Sequence, residues 1–334
     1  MSPSHPPLDT LLLALTGQAA SPVLFLGALP PPPLPPLTLG WQPLKPSADA
    51  WEQAGFTRLD ALADERCFPT VLVLPGKSRD ETLASFALAR DQLAPGGRLI
   101  AALANTAGAA RFEKEFAKAT GGVDSIQKHK CRAFSAVEDG TWNEALFKEW
   151  RALAEPRTIP GTRYQTQAGI FSPDHIDPAS QLLIDHLPPS LHGRVADLGA
   201  GWGFLSDQIL QRAEGIDHID LYEADARALD CARHNLSAHG NRSIGYHWHD
   251  LRRGMEGKYH AIVMNPPFHS GQATDPDLGR AFIRTAHEAL RRGGQLFLVA
   301  NRQLPYEATL DELQMKWSIK VANGTFKVIE ARKV

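Results

Sequence analysis

Residues 195–204 read Val-Ala-Asp-Leu-Gly-Ala-Gly-Trp-Gly-Phe, and this stretch decides the fold class. The apolar residues around Asp197 predict a buried strand, and the residues after the stretch have helical periodicity. Gly199, Gly201 and Gly203 fill the turn between strand and helix, where glycine allows unusual dihedral angles and close approach of the backbone to a ligand. The stretch therefore predicts a strand–turn–helix unit with a binding site at the helix N-terminus.

The alternation of strand and helix continues through the second half of the chain. Strands are predicted over 194–198, 218–223, 245–249, 261–264 and 295–300, and helices over 180–187, 204–212, 227–239 and 279–290. Strands that alternate with helices at this spacing are typical of an α/β fold with a doubly wound, mainly parallel sheet.

The first half repeats the pattern less clearly. Strands are predicted over 70–74 and 98–103, an extended segment over 130–137, and helices over 79–93 and 112–118, whereas the proline run over 30–36 excludes a helix.

Two segments indicate that the halves are copies of one fold. Residues 91–99 read DQLAPGGRL and residues 288–296 read EALRRGGQL, each before an apolar strand. We interpret this as a duplication of a Rossmann-like domain. The predicted boundaries are 1–150 for a degenerate first domain, 151–165 for a linker and 166–334 for a second domain that carries the motifs.

Composition excludes several classes of protein. The chain of 334 residues has a net charge of −2, so any contact with RNA must come from local patches. Its three cysteines are odd in number and far apart, which argues against a disulfide framework and for a reducing compartment. The apolar run Leu11–Leu15 is too short to span a membrane. We expect a cytoplasmic, monomeric protein without a membrane segment.

Three acidic residues follow or end predicted strands. Asp197 precedes the glycines, Glu223 ends the second strand and Asp250 follows the third. Because the carboxyl ends of parallel strands share one edge of a sheet, these acids are expected to meet there. Asp197 can hold the ammonium of a methionine moiety, Glu223 the ribose hydroxyls and Asp250 the adenine amine. S-adenosylmethionine carries all three groups, and the G-x-G-x-G spacing disfavours a nicotinamide dehydrogenase.

A second motif, Asn265-Pro266-Pro267-Phe268, follows the strand over 261–264. An exocyclic aromatic amine is a poor nucleophile because its lone pair is delocalised into the ring. The side-chain oxygen of Asn265 and the carbonyl of Pro266 can each accept one of its N–H groups, on a loop that proline stiffens. Phe268 can stack on the base. The motif predicts methylation of a base amine without a metal or a covalent nucleophile.

Four segments together resemble the small-subunit ribosomal RNA guanine-N2 methyltransferases of the C type and are similar to their large-subunit relatives. They are GIFSPDHIDPASQLLIDHL from Gly169, VADLGAGWGFLS from Val195, MNPPFHSG from Met264 and LVANRQLPYE from Leu298. The resemblance covers residues 165–334.

This resemblance implies two tandem class I methyltransferase domains, of which the second binds S-adenosylmethionine and methylates the N2 amine of a guanine in 16S ribosomal RNA. It also implies that Phe171 and Ser172 cover the cofactor and that Asp177 and Ser180 lie near its methionine end. Ribosomal RNA or the small ribosomal subunit is the expected partner.

The first half lacks the residues that this chemistry needs. Prolines follow Leu26-Gly27-Ala28, where glycines are needed, and they supply no N–H groups for a carboxylate. Residues 74–77 read Leu-Pro-Gly-Lys at the position of the Asn-Pro-Pro-Phe motif. We expect this half to bind no cofactor and to contribute stability and RNA recognition.

Basic side chains near the strand ends are candidates for phosphate contacts. Arg252, Arg253 and Arg302 are predicted to bind RNA. His247 and His249 lie on one face of a strand, but no third ligand with metal spacing is near them, so we expect no metal site. His269 is interpreted as loop structure or an RNA contact rather than a base.

Alternative functions stay open at this point. The acceptor could instead be a guanine of 23S ribosomal RNA or the side-chain amide of a protein glutamine, which an Asn-Pro-Pro loop also suits. A non-catalytic RNA-binding protein on a relic fold is the third possibility, and the intact Asp197, Glu223, Asp250 and Asn265 argue against it.

Overall fold

The computed structural model describes residues 5–15, 21–30, 34–62, 67–76, 78–267, 269–270, 273–274 and 276–334. The chain forms two compact units. The first comprises Met1–Pro156 with Gln167–Gly169, and the second comprises Arg157–Thr166 with Ile170–Val334. The division after Pro156 falls inside the predicted linker, and residues 157–166 belong to the second unit. The assignment of separate roles to the two domains stays a prediction.

In the first unit the helices are α1 Pro6–Leu15, α2 Lys45–Gln53, α3 Arg79–Gln92, α4 Ala109–Thr120 and α5 Glu144–Ala152, and the strands are β1 Val23–Leu26, β2 Thr38–Trp41, β3 Thr57–Arg58, β4 Phe68–Val73, β5 Leu93–Ala104, β6 Asp124–Lys128 and β7 Cys131–Val137.

In the second unit the helices are α6 Pro178–Asp185, α7 Phe204–Arg212, α8 Ala226–Asn235, α9 Pro276–Ala289 and α10 Tyr306–Glu312, and the strands are β8 Arg157–Thr158, β9 Gln165–Thr166, β10 Gly193–Leu198, β11 Ile216–Glu223, β12 Ile244–Trp248, β13 Tyr259–Met264, β14 His269–Ser270, β15 Ala273–Thr274, β16 Leu290–Asn301, β17 Lys316–Ala322 and β18 Phe326–Arg332.

Each unit contains a seven-stranded sheet, and the two sheets have the same topology. The strand order is β3-β2-β1-β4-β5-β7-β6 in the first and β12-β11-β10-β13-β16-β18-β17 in the second. The first five strands of each order are parallel to one another. Strands β7 and β18 run antiparallel to them, and the edge strands β6 and β17 pair antiparallel with β7 and β18. This confirms the predicted fold class, two doubly wound and mainly parallel sheets, and the equal order supports duplication of one domain.

Helices on both faces of the second sheet explain its continuous apolar strands. Within β13, Ala261 and Val263 belong to the core on one face, whereas Ile262 and Met264 belong to the core on the other. All four are at most 2% exposed. A strand that is buried on both faces has no polar side chains to alternate with, so it reads as an apolar run.

The first 53 residues contain helices and strands that the sequence analysis did not assign. Helix α1 begins with Pro6 and Pro7, which the first turn of a helix tolerates because its N–H groups have no intrahelical partner. Strand β1 is fully buried and lies between β2 and β4. The described part of the proline run lies outside helices and strands, as predicted.

The strand order of the second unit determines where a ligand can bind. The chain proceeds from β10 outward to β11 and β12, then returns to β13 on the other side of β10. Connections therefore leave β10 and β13 in opposite directions, which opens a crevice at their carboxyl ends. Leu198 is paired with Met264, so the glycine turn and Asn265 begin side by side at this crevice.

Candidate active site

The glycine turn after β10 has the backbone geometry that its sequence predicts. Gly199, Gly201 and Gly203 have φ angles of +73°, +54° and +88°, which favour glycine. A Cβ at Gly203 would lie 2.6 Å from Leu236 Cδ1, whereas one at Gly201 would meet nothing within 4 Å. The turn is therefore packed against α8 at Gly203 and open at Gly201, directly before the N-terminus of α7.

Glu223, at the end of β11, connects its strand to this turn. Its Oε2 accepts a hydrogen bond from the Gly201 N–H at 2.8 Å, and its Oε1 accepts one from Asp225 N–H at 2.9 Å. Burial raises the pKa of Glu223, although both backbone donors favour the ionised form. Each carboxylate oxygen has a second lone pair, so Glu223 can still accept hydrogen bonds from a ligand.

Asp197 is buried beneath the turn with half of its carboxyl group unsatisfied. Its Oδ2 accepts a hydrogen bond from Ser206 Oγ at 2.8 Å, and its Oδ1 is a buried oxygen without a hydrogen-bond partner among the described residues. Burial raises the pKa of Asp197 to about 7; the Ser206 hydrogen bond opposes this rise and the Glu223 charge adds to it. An ammonium group would satisfy the orphaned oxygen, so the site fits a cationic amino acid moiety.

Asp250 is engaged by the residues that follow it. Its carboxylate accepts hydrogen bonds from Arg252 N–H at 3.1 Å, Nε at 2.9 Å and Nη2 at 2.8 Å, and it caps the short helical turn Leu251–Arg253. Burial alone would raise the pKa of Asp250, but the hydrogen bonds of Arg252 and the charge of Arg253 outweigh it and lower the pKa. Asp250, which is predicted to contact the adenine, is thus hydrogen-bonded to Arg252, which is predicted to contact RNA.

The three predicted RNA-binding arginines lie on the surface at two places on the sheet. Arg252 and Arg253 follow β12, Arg302 follows β16, and all three are exposed. In the strand order, β11, β10 and β13 separate β12 from β16. The arginines therefore stand on opposite sides of the crevice and do not form one cluster.

Asn265 follows β13 and lies against helix α6. Its side-chain Nδ2 donates hydrogen bonds to Asp177 Oδ2 at 2.8 Å and to Ser180 Oγ at 2.9 Å. Pro266 is buried and Pro267 is exposed. Phe268 lies outside the described residues, as does the side chain of His269, so the predicted stacking contact stays a prediction.

One pocket brings together residues of the glycine turn, the Asn265 loop and the segment before α6. Its empty space is about 370 Å³ when the adjoining open solvent is included. The lining residues are Phe171, Asp177, Ser180, Gly199, Ala200, Gly201, Trp202, Phe204, Leu205 and Asn265. Among the described residues, Asp197, Gly203, Glu223 and Asp250 lie outside this lining, and Glu223 holds the lining residue Gly201 by a hydrogen bond.

Two contacts at the pocket were not predicted from the sequence. Trp202 Nε1 donates a hydrogen bond to the Ser172 carbonyl at 3.3 Å, which holds the segment of Phe171 on the glycine turn. Phe171 itself is 56% exposed. Ser206 is the donor to Asp197 and lies on the first turn of α7. The one sequence signal that could have identified Trp202 as a pocket residue is its place between Gly201 and Gly203 in the glycine motif.

The histidines on β12 have partners within the fold. His247 Nε2 lies 2.7 Å from Asp220 Oδ1, and its ring stacks on Tyr222 with centroids 4.4 Å apart. His249 Nε2 lies 2.6 Å from the Gly254 carbonyl. In the described part of the chain, no group of three or more His, Cys, Asp or Glu side chains is arranged to hold a metal ion. No described helix is long and apolar enough to cross a membrane.

Comparisons with known proteins agree with this geometry. The sequence profile of the methyltransferase small domain family matches residues 161–330. A protein of Shewanella amazonensis named ribosomal RNA small subunit methyltransferase C is 29% identical over 273 residues, which are 81% of this chain and 79% of that protein. Proteins of the same name from Sodalis glossinidius and Escherichia coli are 37% and 34% identical over about half of this chain and about half of their own length.

A solved structure matches both units. It is a Thermus thermophilus 16S rRNA N2 G1207 methyltransferase in complex with S-adenosylmethionine and guanosine, 25% identical, with a TM-score of 0.81 over 99% of this chain and 93% of that chain. These names confirm the family to which the four sequence segments were assigned. Because the family profile spans half of the chain and coincides with the unit that carries the pocket, the chain belongs to the methyltransferase small domain family.

Proposed function

We propose that this protein transfers a methyl group from S-adenosylmethionine to the exocyclic N2 amine of a guanine in 16S ribosomal RNA. One observation carries the proposal. Asn265, which is predicted to accept a hydrogen bond from the target amine, lines the same pocket as Gly199 and Gly201 of the glycine turn. A methyl donor and its acceptor amine must meet in line, which requires one pocket for both. The names of the relatives support small-subunit ribosomal RNA as the substrate, and the Thermus N2 methyltransferase complexed with guanosine supports guanine as the acceptor.

The glycine turn and two acidic residues would hold the cofactor. The orphaned Oδ1 of Asp197 suits the ammonium of the methionine moiety, and the N-terminus of α7 suits its carboxylate. Glu223, held by two backbone donors, presents its remaining lone pairs to the ribose hydroxyls. When bound, S-adenosylmethionine supplies an electrophilic methyl group.

Asn265 and Pro266 would orient the amine. The Oδ1 of Asn265 and the Pro266 carbonyl accept its two N–H groups, which turns the nitrogen lone pair toward the methyl carbon. As the new N–C bond forms, the bond between the methyl carbon and the sulfonium sulfur of the donor would break and leave a neutral thioether. The positive charge passes to the nitrogen, which then loses one proton to water. Acceptors that are already in place stabilise this charge without reorganisation, which is the chain's main contribution to the rate.

The first unit would bind no cofactor. Gly27 directly follows β1, at the position where the second unit has its glycine turn. A Cβ at Gly27 would lie 2.2 Å from the Leu74 carbonyl oxygen, so the backbone that follows the neighbouring strand β4 fills the position. We assign residues 1–150 to stability and RNA recognition and 166–334 to catalysis, with Arg252, Arg253 and Arg302 contacting phosphates. The monomeric state and the cytoplasmic location stay predictions.

The test is incubation of the full-length protein with labelled S-adenosylmethionine and ribosomal RNA from a strain that lacks the enzyme. We expect label on the N2 of one guanine of 16S RNA, identified by mapping the modified nucleotide, with naked RNA and assembled small subunits as separate substrates. Label on 23S RNA alone, or on a protein glutamine, would replace this proposal with one of the alternatives. Calorimetry should give one cofactor per chain, and two would contradict the inactive first unit.

A further inference from the structure

The side-chain amide of Asn265 is held in a single orientation. Its Nδ2 donates to Asp177 Oδ2 at 2.8 Å and to Ser180 Oγ at 2.9 Å, so both of its N–H groups are used. An ionised carboxylate only accepts hydrogen bonds. Turning the amide over would place its oxygen against the Asp177 carboxylate, and the two acceptors would repel each other. The Oδ1 of Asn265 is therefore the polar atom left for a ligand.

The two acceptors are themselves fixed by helix α6. Asp177 is its N-cap residue, and the same Oδ2 that faces Asn265 accepts the Ser180 backbone N–H at 2.8 Å. Ser180 is 7% exposed. The helix packs on the sheet through Ala179, Leu183 and Ile184, all at most 3% exposed. A helix that is packed in this way holds side chains more firmly than a loop does.

The geometry points to Asp177 and Ser180 as positioning residues for Asn265. This inference rests on the proposed function, and it assigns the two residues to the acceptor side of the pocket rather than to the methionine end of the cofactor. A negative charge on the donor side of an amide polarises it and strengthens its oxygen as an acceptor. That oxygen matters most when positive charge develops on the amine, so loss of the contact should lower kcat more than it weakens binding.

The test compares variants of the full-length protein that keep the cap of α6. Asp177→Ser retains an oxygen for the Ser180 N–H, because serine is a good N-cap residue, but its shorter side chain cannot reach Asn265. Asp177→Asn keeps an acceptor oxygen at the same length and is the rescue variant. Asn143→Ser, at the N-cap of α5 in the first unit, is the control for a cap substitution. The readouts are kcat on 16S RNA and cofactor affinity from calorimetry.

We expect Asp177→Ser to lower kcat by roughly tenfold to a hundredfold, because a charge-assisted hydrogen bond is lost in the transition state. Cofactor affinity should stay within about twofold of that of the parent protein. Asp177→Asn should recover part of the rate, because it restores the acceptor oxygen without the charge, and Asn143→Ser should keep the parent rate. In an Asn265→Ala background the Asp177→Ser change should have no further effect, because the two residues act as one unit. An additive double variant, or a loss of cofactor affinity, would overturn the inference.

A second readout separates this inference from the proposed function. If the unaltered protein methylates no guanine of ribosomal RNA, the proposed function fails, but the Asn265 orientation can still be measured. The side-chain amide protons of Asn265, assigned in NMR spectra by their absence from Asn265→Ala, should exchange slowly with solvent in the parent protein. They should exchange at least tenfold faster in Asp177→Ser, as expected when a hydrogen bond is lost. Equal exchange in both proteins would overturn the inference whatever the substrate is.

Discussion

Substitution of Asp197 by asparagine should make the free protein more stable at alkaline pH and abolish strong cofactor binding. Asp197 is fully buried, and its folded-state pKa is raised from 3.8 to about 7. The folded state therefore binds this proton more tightly than the unfolded state. Stability falls as pH rises from about 4 to about 7 and is constant above that range.

The magnitude follows from the shift. Each pKa unit is worth about 1.4 kcal/mol, so a rise from 3.8 to about 7 costs about 4 kcal/mol at pH 8, where the carboxyl group is ionised in both states, and less than about 2 kcal/mol at pH 5. Asparagine removes this cost and keeps an oxygen that can accept the Ser206 hydrogen bond. Its amide nitrogen takes the place of the orphaned Oδ1, however, and finds no hydrogen-bond acceptor there, which costs about 1–3 kcal/mol at every pH. The advantage of Asp197→Asn should thus grow by about 2–3 kcal/mol from pH 5 to pH 8.

The assay is urea unfolding of the cofactor-free proteins at about pH 5 and about pH 8, monitored by a probe in the second unit. Asp185→Asn, an exposed substitution on α6, is the matched control and should shift stability equally at both pH values. Calorimetry should show cofactor affinity at least tenfold lower in Asp197→Asn, since the ammonium loses a charged partner. The same stability difference at both pH values would refute the raised pKa, and unchanged affinity would remove Asp197 from the cofactor site.

Three further predictions concern the same unit. Glu223→Ala should weaken cofactor binding roughly tenfold to a hundredfold, because a charged acceptor that also holds Gly201 is lost; calorimetry giving unchanged affinity would exclude Glu223 from the site. Gly203→Ala should lower the free energy of unfolding by about 1–3 kcal/mol through its φ of +88° and the clash with Leu236, and unchanged urea unfolding would contradict this. Asp220→Ala should cost about 1–3 kcal/mol at neutral pH, because the buried carboxylate of Asp220 accepts hydrogen bonds from Arg194, Tyr259 and two histidines, which lose their partner. Burial alone would raise the pKa of Asp220, but these hydrogen bonds outweigh it and lower the pKa, so this stability is present above about pH 4 and is lost as pH falls further. A difference in unfolding free energy that stays constant into the acid range would exclude that role.

Local sequence patterns were sufficient for the five parallel strands of the second unit, for helices α6 to α9 and for the residue types at its pocket, whereas helix α10 and the antiparallel strands β17 and β18 were not predicted. The strand β10, the glycine turn and helix α7 are consecutive in the chain, and α7 begins at Phe204 and ends at Arg212 as predicted. Strands buried on both faces need continuous apolar runs, and positive φ angles need glycine, so one-dimensional patterns report them directly. The first unit was predicted less completely, because α1 and β1 lie beside proline-rich segments in which periodicity is short.

Contacts between distant residues were decided by the tertiary structure alone. Asp177 and Asn265 are 88 positions apart, and they meet because α6 packs on β16, which is the neighbour of β13 in the sheet. The same holds for the orphaned oxygen of Asp197, which depends on what surrounds it. The sequence by itself determined which side chains could bind, orient or accept, since that depends on residue type and local backbone. Which partners they have was decided by strand order and packing, because the distance in space between residues far apart in the chain is not encoded in their spacing along it.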